Sequence, residues 1–414
     1  MVRNTPTPFD ERRLSRRTAL AAGVAAATVA SLPWASPRTL AQPSTPVMGN
    51  DARFPPTQEL ALTRIVAQHL GQGAIPGALV GVWGPGRGTW VEAMGIGDLT
   101  TAVPITTDDH VRIASITKTF TGTVVLQLVE EGKLSLDDTL ASFVPGIANG
   151  EHITIHQLLN MTAGVFDYIA DPVFDPAYQA DPEIAFSPEE ALAIMRQHPA
   201  DFAPGTQVHY SNSNTYLLGL IIEQVTGQSA GEAITDRIIG PLGLSGTSFP
   251  TTPEMPTPYA HGYDAAAPGD PLRDVTRSNP AVPWTAGAIV STLADLHTWA
   301  RVLANGTLLS PELQRERLDG NPMPGARPGL DLRYGLGLVT INGLIGHSGG
   351  IAGYGSWMLH DPDDDATLVI VATRTEAADP LLVSLLPVIF PQRFPTAPAT
   401  PVAGTPVGNL PVPG

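Results

Sequence analysis

Residues 111–120 have the sequence VRIASITKTF, which places the hydroxyl of Ser115 and the amine of Lys118 three positions apart. On a helix these positions share a face, so the two groups come within hydrogen-bonding reach. A serine hydroxyl needs a neighbouring base to act as a nucleophile, and burial lowers the pKa of a lysine enough for it to be that base. The apolar residues around the pair predict a buried helix. In a chain with only two lysines such a pair arises by chance roughly one time in ten. The pair therefore indicates a catalytic site only if further motifs of such a site occur elsewhere in the sequence.

Two polar segments further along the chain complete a pattern. Residues 209–214 have the sequence HYSNSN, just before an apolar run, and residues 347–350 have the sequence HSGG, just before a strand-like run. In this order, S-x-x-K, Y-x-N and H-S-G resemble the motifs of the serine penicillin-recognising superfamily. The resemblance is to the branch that groups class C β-lactamases with D-Ala-D-Ala carboxypeptidases, esterases and D-aminopeptidases.

Two further segments extend this resemblance. Residues 158–165, LLNMTAGV, stand where the family has L-L-T-H-T-S-G. Residues 286–296, AGAIVSTLADL, are similar to the family's A-G-G-L-x-S-T-x-x-D-L helix start. The resemblance therefore covers residues 55–390, approximately. The S-D-N and K-T-G motifs of the class A branch do not occur in the sequence.

The resemblance implies a role for each of these residues. Ser115 attacks a carbonyl, and Lys118 and Tyr210 share the proton transfers. For Tyr210 to act as a base its pKa must fall well below about 10, for which the ammonium of a neighbouring lysine is a sufficient cause. Asn212 binds the substrate amide or steadies Lys118. The backbone N–H groups of Ser115 and Gly350 form the oxyanion hole.

The third motif is where the sequence departs from class C β-lactamases. His347 stands where those enzymes carry a lysine, and Ser348 and Gly349 complete the predicted substrate-binding set with Asn212. Histidine is mostly neutral at pH 7, so it captures a substrate carboxylate less strongly, although Ser348 can still donate a hydrogen bond to one. This favours carboxypeptidase, D-amino-acid peptidase or esterase activity over a dedicated β-lactamase.

No metal or organic cofactor is expected. His152 and His156 have the spacing of a zinc-binding helix, but the glutamate of H-E-x-x-H is missing between them. The segment is better interpreted as the start of a helix.

The composition narrows the possible partners. The 414-residue chain has a net charge of −16, which argues against nucleic acids and anionic membrane surfaces. It has no cysteine, which excludes disulfides, thiol chemistry and a lipoprotein anchor. Residues 15–20, SRRTAL, precede an alanine-rich apolar run, and TLA follows at 39–41. This is typical of a cleaved twin-arginine signal peptide, because a run of about 15 residues is too short to span a membrane.

The order of the predicted elements defines the fold class. They are a helix at 57–70, a hairpin at 77–94, helices at 215–244 and 284–305, strands between 334 and 372, and a helix at 381–390. This order predicts an α/β (α+β) fold in which helices flank one antiparallel sheet and an all-helical lobe is inserted. It agrees with the β-lactamase/transpeptidase-like fold that the resemblance implies. The predicted domains are a signal peptide at 1–41, a linker at 42–56, the catalytic domain at 57–390 and a proline-rich flexible tail at 391–414.

These observations predict an exported serine hydrolase, periplasmic or extracellular, that works through a Ser115 acyl-enzyme. The expected substrate is a small molecule or peptide: an acyl-D-Ala-D-Ala peptide or a D-amino-acid peptide, with β-lactams and esters as further classes. The alternatives are a class C-like β-lactamase, a carboxylesterase, and a non-catalytic module that binds penicillin or cell-wall peptides. Neither a nucleic-acid partner nor a stable membrane anchor after signal cleavage is expected.

Overall fold

The helices and strands come from a computed structural model, which describes residues 54–71, 75–85, 88–266, 269–325, 329–375 and 377–395. The predicted signal peptide at 1–41 and most of the predicted linker at 42–56 lie outside the described residues. The strands, numbered in chain order, are β1 (Gly77–Gly84), β2 (Gly88–Asp98), β3 (Val103–Pro104), β4 (Val111–Arg112), β5 (Tyr263–Ala265), β6 (Leu272–Asp274), β7 (Val290–Ser291), β8 (Asn321–Pro322), β9 (Leu332–Tyr334), β10 (Val339–Ile341), β11 (Leu344–Ile351), β12 (Tyr354–Asp361) and β13 (Ala366–Ala372). The helices are α1 (Pro56–Gly71), α2 (Thr117–Glu130), α3 (Ile155–Leu159), α4 (Phe174–Ala180), α5 (Pro188–Gln197), α6 (Asn212–Thr226), α7 (Ala230–Ile234), α8 (Gly240–Leu242), α9 (Leu293–Asn305), α10 (Pro311–Leu318) and α11 (Ala378–Ile389).

Nine strands form one antiparallel sheet with the order β3-β2-β1-β13-β12-β11-β10-β9-β8. The central strands β1 and β13 consist almost wholly of buried apolar residues, as expected for strands that are covered on both faces. Alternate residues divide between two cores. Val80 and Ile370 pack with residues of α1 and α11, whereas Leu79 and Val371 pack with residues of α2 and α9. The sheet therefore lies between two helical layers.

The helical lobe is built around α2, which is buried along most of its length. Helix α6 and the 3-10 turn Trp284–Ala286 both pack against it. The approach of this turn to α6 depends on Gly219, because a methyl group there would lie 2.4 Å from the Thr285 hydroxyl oxygen. The predicted α/β class, with an antiparallel sheet, flanking helices and a helical lobe, is confirmed.

Two predicted helices are shorter than expected. The helix predicted at 215–244 ends at Gly227, whose φ of 69° stops α6, and the chain continues through α7, the π-helical segment Thr235–Ile239 and α8. The helix predicted at 284–305 begins only at Leu293, where the Thr292 side chain accepts a hydrogen bond from the Asp295 N–H. The residues before this cap form β7, which pairs with β4 immediately ahead of Ser115.

The chain stays packed beyond residue 391, where the flexible tail was predicted to begin. The Arg393 guanidinium lies 2.7 Å from carboxylate oxygens of both Asp361 and Asp363. Phe394 is only 8% exposed and belongs to the core beneath α11. A tail can therefore begin only after residue 395. Among the helices of the described ranges, none combines the length and apolarity that a membrane span requires.

Candidate active site

Ser115 lies in the 3-10 turn Ala114–Ile116, directly before α2. Strand β4 leads into this turn and is held by β7, while β11 packs against the turn from the sheet. Ala114 has a φ of 48°, a left-handed conformation that is unusual for a residue with a side chain. Such a conformation persists only where the surrounding structure fixes it, and here it precedes the predicted nucleophile.

Lys118 lies one turn further along and is 1% exposed. Its Nζ is 2.9 Å from Ser115 Oγ, 2.7 Å from Asn212 Oδ1 and 2.8 Å from the Ala286 carbonyl oxygen. Burial lowers the pKa of Lys118 to about 7, and the carboxylate of Asp167 opposes part of that fall. Near neutral pH a large fraction of the amine is therefore unprotonated.

The two carbonyl oxygens around Lys118 determine where the lone pair of its neutral amine points. An amide or backbone carbonyl oxygen can only accept hydrogen bonds, so Asn212 and Ala286 take the two N–H donors of the neutral amine. The remaining lone pair then points at the hydroxyl of Ser115. This is the arrangement that a general base requires.

Tyr210 corrects one element of the predicted mechanism. Its hydroxyl is hydrogen-bonded to Ser115, and Lys118 Nζ lies 4.9 Å from the centre of its ring. Burial raises the pKa of Tyr210 above its ordinary value, whereas the sequence analysis expected the lysine to lower it. The reason is that burial of the phenol penalises the charged phenolate, and the nearby carboxylate of Asp167 adds to this rise, while the hydrogen bond with Ser115 opposes part of it. Tyr210 is an O–H donor in this site.

His347 is a second correction, because the structure buries it instead of turning it toward substrate. It is 1% exposed, its Nδ1 donates to the Ser348 carbonyl at 2.6 Å, and its Nε2 accepts from the Tyr334 hydroxyl at 3.1 Å. Burial, with the neighbouring Lys118, lowers the pKa of His347 to about 3. The imidazole ring is therefore neutral, and its two hydrogen bonds link β11 to Tyr334 on the side away from the cavity.

The edge of β11 faces the serine. Within the described residues, β10 pairs with only the first part of β11, Leu344–Gly346, so the following residues of β11 have one edge without a partner strand. On the other edge, a two-residue turn closes on the pair Ile351 and Tyr354. Backbone groups alternate along a strand, so the Gly350 N–H turns toward the open edge. This orientation is compatible with the predicted oxyanion hole.

Gly349 explains how β11 comes so close to the Ser115 turn. A methyl group at this position would lie 2.3 Å from the Ile113 carbonyl oxygen and 2.4 Å from Ser356 Oγ. At Gly350, by contrast, a methyl group would meet nothing within 4 Å. Gly349 thus faces the wall behind the serine, and Gly350 faces open space.

A cavity of about 1110 Å³ opens above Ser115. Five predicted site residues line it: Ser115, Tyr210, Asn212, Ser348 and Gly350. The other three, Lys118, His347 and Gly349, do not. Part of the wall is apolar, with Ile169, Tyr178, Val275, Val282 and Ile351, and the charged residues on it are Asp264, Arg273 and Arg374. The cavity suits a ligand with both an apolar and an ionic part.

Asp167 is a site residue that the sequence analysis missed. Its Oδ2 accepts a hydrogen bond from Asn212 Nδ2 at 3.0 Å, and its Oδ1 accepts from the Ile169 N–H at 3.3 Å. Burial raises the pKa of Asp167, while Asn212 and Lys118 counteract that rise. Across the described ranges, no group of three or more His, Asp or Glu side chains could hold a metal ion.

Comparison with known proteins places this site in a family. The β-lactamase family model matches residues 62–383, and the chain belongs to that family. A D-aminopeptidase from Brucella anthropi is 30% identical over 295 residues, which are 70% of this chain and 54% of that protein. The chain spans about half to two thirds of the length of the curated relatives it matches.

Two solved structures extend the comparison. A D-stereospecific amidohydrolase from Streptomyces sp. has a TM-score of 0.71 at 32% identity, over 78% of this chain and 97% of that one. The D-amino acid amidase from Ochrobactrum anthropi SV3, complexed with L-phenylalanine amide, has a TM-score of 0.69 at 26% identity, over 80% of this chain and 98% of that one. The resemblance stated from the motifs is confirmed.

Proposed function

We propose that this protein is a serine hydrolase that cleaves amide bonds of D-amino-acid compounds through an acyl-enzyme on Ser115. The observation that carries the proposal is the buried Lys118 amine, 2.9 Å from Ser115 Oγ, with both of its remaining hydrogen-bonding positions occupied by carbonyl oxygens. An amine that is largely neutral near pH 7 and directed at a serine hydroxyl is the arrangement that activates the serine as a nucleophile.

In the proposed reaction, Ser115 Oγ bonds to the carbonyl carbon as its proton moves to Lys118 Nζ. The carbonyl electrons move to oxygen, and the backbone N–H groups of Ser115 and Gly350 stabilise this charge. Collapse breaks the C–N bond. The leaving nitrogen takes a proton from the Tyr210 hydroxyl, which Lys118 re-protonates. Water then attacks the ester carbonyl carbon and gives one proton to Lys118. When the bond between this carbon and Ser115 Oγ breaks, Lys118 returns that proton to Ser115 Oγ, which releases the acid and restores the serine hydroxyl and the neutral amine.

The substrate class rests on two supports. Relatives with a matching fold and 26–32% identity are named for D-amino-acid amides and D-stereospecific hydrolysis. The cavity combines an apolar wall, suited to a side chain such as that of phenylalanine, with an ionic wall for the charged end of a small amino-acid derivative. We infer a D-amino-acid amidase or peptidase.

A second candidate is a D-Ala-D-Ala carboxypeptidase-like activity. Arg273 and Arg374 both line the cavity, and a guanidinium is the side chain best suited to a carboxylate. Such a substrate would present the carboxylate of its terminal D-alanine to this wall. The neutral His347 argues against a dedicated β-lactamase, because it leaves no cation at the position where class C enzymes carry lysine.

The test compares D-phenylalanine amide, L-phenylalanine amide, an acyl-D-Ala-D-Ala peptide and a penicillin as substrates. We expect hydrolysis of the D-amide well above that of the L-amide, abolished in Ser115→Ala and retained in Ser142→Ala, which alters an exposed serine. Release of D-alanine instead would select the carboxypeptidase. Turnover of none of the four, with an intact fold, would contradict the proposal.

We also propose that the protein is exported by the twin-arginine route and works in the periplasm or outside the cell. The support is the Arg16-Arg17 pair ahead of an apolar run. Replacing both arginines by lysine should retain the full-length precursor in the cytoplasm, as seen by cell fractionation. Unchanged export of that variant would contradict this route.

A further inference from the structure

We propose that Asp167 is a positioning residue for this site: its carboxylate fixes the orientation of the Asn212 amide, which in turn directs Lys118 at Ser115. The inference rests on the proposed serine hydrolysis and deepens it. No motif of the sequence analysis includes Asp167, and it lies 45 residues from Asn212 in the chain.

The argument begins with the amide. An ionised carboxylate can only accept hydrogen bonds, so Asn212 must present its Nδ2 to Asp167, at 3.0 Å. Its Oδ1 then faces Lys118, at 2.7 Å. The carboxylate of Asp167 alone thus determines which end of the Asn212 amide faces Lys118. Asn212 also begins α6, so its backbone is fixed independently.

The opposite orientation would disable the base. With the amide reversed, Asn212 Nδ2 would face Lys118 and donate to the lone pair of its neutral form. That lone pair would no longer be available to the Ser115 hydroxyl at 2.9 Å. A donor–donor contact would result whenever Lys118 is protonated. Asp167 excludes this orientation because it cannot donate when ionised.

Asp167 also sets the charge around Lys118. The titratable groups facing the amine are Asp167 from the segment before the turn at 168–170, Tyr210 from the loop before α6, and His347 from β11. Asp167 supplies the negative charge among them, since His347 is neutral and Tyr210 is protonated. Removing that charge destabilises the ammonium and lowers the pKa of Lys118.

The test uses the fact that the chain has only two lysines, Lys118 and Lys133. In protein labelled with ¹³C at the lysine Cε, two resonances are expected. Lys133, with 51% of its side chain exposed, provides the reference, and Lys133→Arg assigns it. The variant Asp167→Asn keeps the size of the side chain and removes its charge. Its NMR titration is compared with the wild type, together with kcat and KM on whichever substrate the wild type hydrolyses.

We expect Asp167→Asn to move the titration midpoint of Lys118 down by about one pH unit. We also expect kcat to fall about 10- to 100-fold with little change in KM, because the base is misdirected. The matched control is Asp171→Asn, which weakens a similar carboxylate cap on the N–H groups of Val173 and Phe174. It should leave both the midpoint and kcat unchanged.

A purely structural role predicts a different result. If Asp167 only caps the Ile169 N–H, the variant will lose thermal stability while the Lys118 midpoint stays in place, and that outcome overturns the inference. Retention of kcat in an active enzyme overturns it as well. If the wild type shows no Ser115-dependent hydrolysis, the proposed function fails separately, and the Lys118 midpoint still decides whether Asp167 acts on the lysine.

Discussion

Substituting Gly349 by alanine tests how closely the sheet must approach the serine. The added methyl group would lie 2.3 Å from the Ile113 carbonyl oxygen. A carbon–oxygen contact needs about 3.3 Å or more, so β11 and the turn that carries Ser115 must separate by about 1 Å. The same methyl would lie 2.4 Å from Ser356 Oγ, which donates to that carbonyl at 3.1 Å.

The magnitude follows from these contacts. Overpacking a buried site costs about 1–3 kcal/mol, and losing the buried Ser356 hydrogen bond adds about 1 kcal/mol, so Gly349→Ala should destabilise the fold by about 2–4 kcal/mol. The displacement also moves the Gly350 N–H away from the carbonyl oxygen of the substrate. A misplacement of about 1 Å in a catalytic arrangement reduces kcat/KM about 100-fold.

The assay is urea unfolding combined with steady-state kinetics on the preferred substrate. Gly350→Ala is the matched control for stability, because its methyl group meets no atom within 4 Å. It should change the free energy of unfolding by less than about 0.5 kcal/mol. Equal stability of the two variants, or wild-type kcat/KM in Gly349→Ala, would refute the reasoning about this close approach.

Three further predictions concern pH and the end of the chain. Because Lys118 must be neutral to act as a base and its pKa is about 7, kcat/KM should rise about tenfold per pH unit up to about 7 and then level off; a rate independent of pH between 5 and 8 would contradict this. His347 has its folded pKa lowered to about 3, so the unfolded chain binds one more proton between pH 3 and the ordinary value of 6.5. The free energy of unfolding should therefore fall as the pH drops through this window, by about 1.4 kcal/mol per pH unit for this group. Measured by urea unfolding at several pH values, the free energy of unfolding of His347→Gln should depend less steeply on pH than that of the wild type, and an equally steep dependence would contradict this assignment. Deleting residues 391–414 removes Arg393 and the buried Phe394, and should cost about 3 kcal/mol of stability more than deleting residues 396–414 does; equal melting temperatures for the two truncated proteins would contradict the packing of residues 391–395.

Local patterns predicted much of the fold and the centre of the site. The opening helix, the hairpin at 77–94 and the closing strands follow from apolar spacing and turn residues, and they form as expected. The Ser115–Lys118 contact follows from helical geometry alone, since the two residues are three apart. These features depend on neighbours in the sequence.

Features that depend on the tertiary fold were missed or misjudged. The contact between Asp167 and Asn212 joins the segment before the turn at 168–170 to the start of α6, and no periodic pattern in the sequence connects the two residues. The pKa of Tyr210 rises because its own phenol is buried, and the burial of one side chain depends on the packing of the whole fold. His347 has the residue type of a binding group, but its exposure of 1% is set by the strands and side chains packed around it.

Mass spectrometry of the intact protein tests the central claim most directly. The protein is mixed with p-nitrophenyl acetate, quenched in acid at early times and mapped by peptide digestion. We predict one acetyl group on Ser115, absent in Ser115→Ala and much slower to form in Lys118→Met. Acetylation of another residue, or an equal rate of labelling in Lys118→Met, would contradict the claim that Lys118 activates Ser115 as the nucleophile.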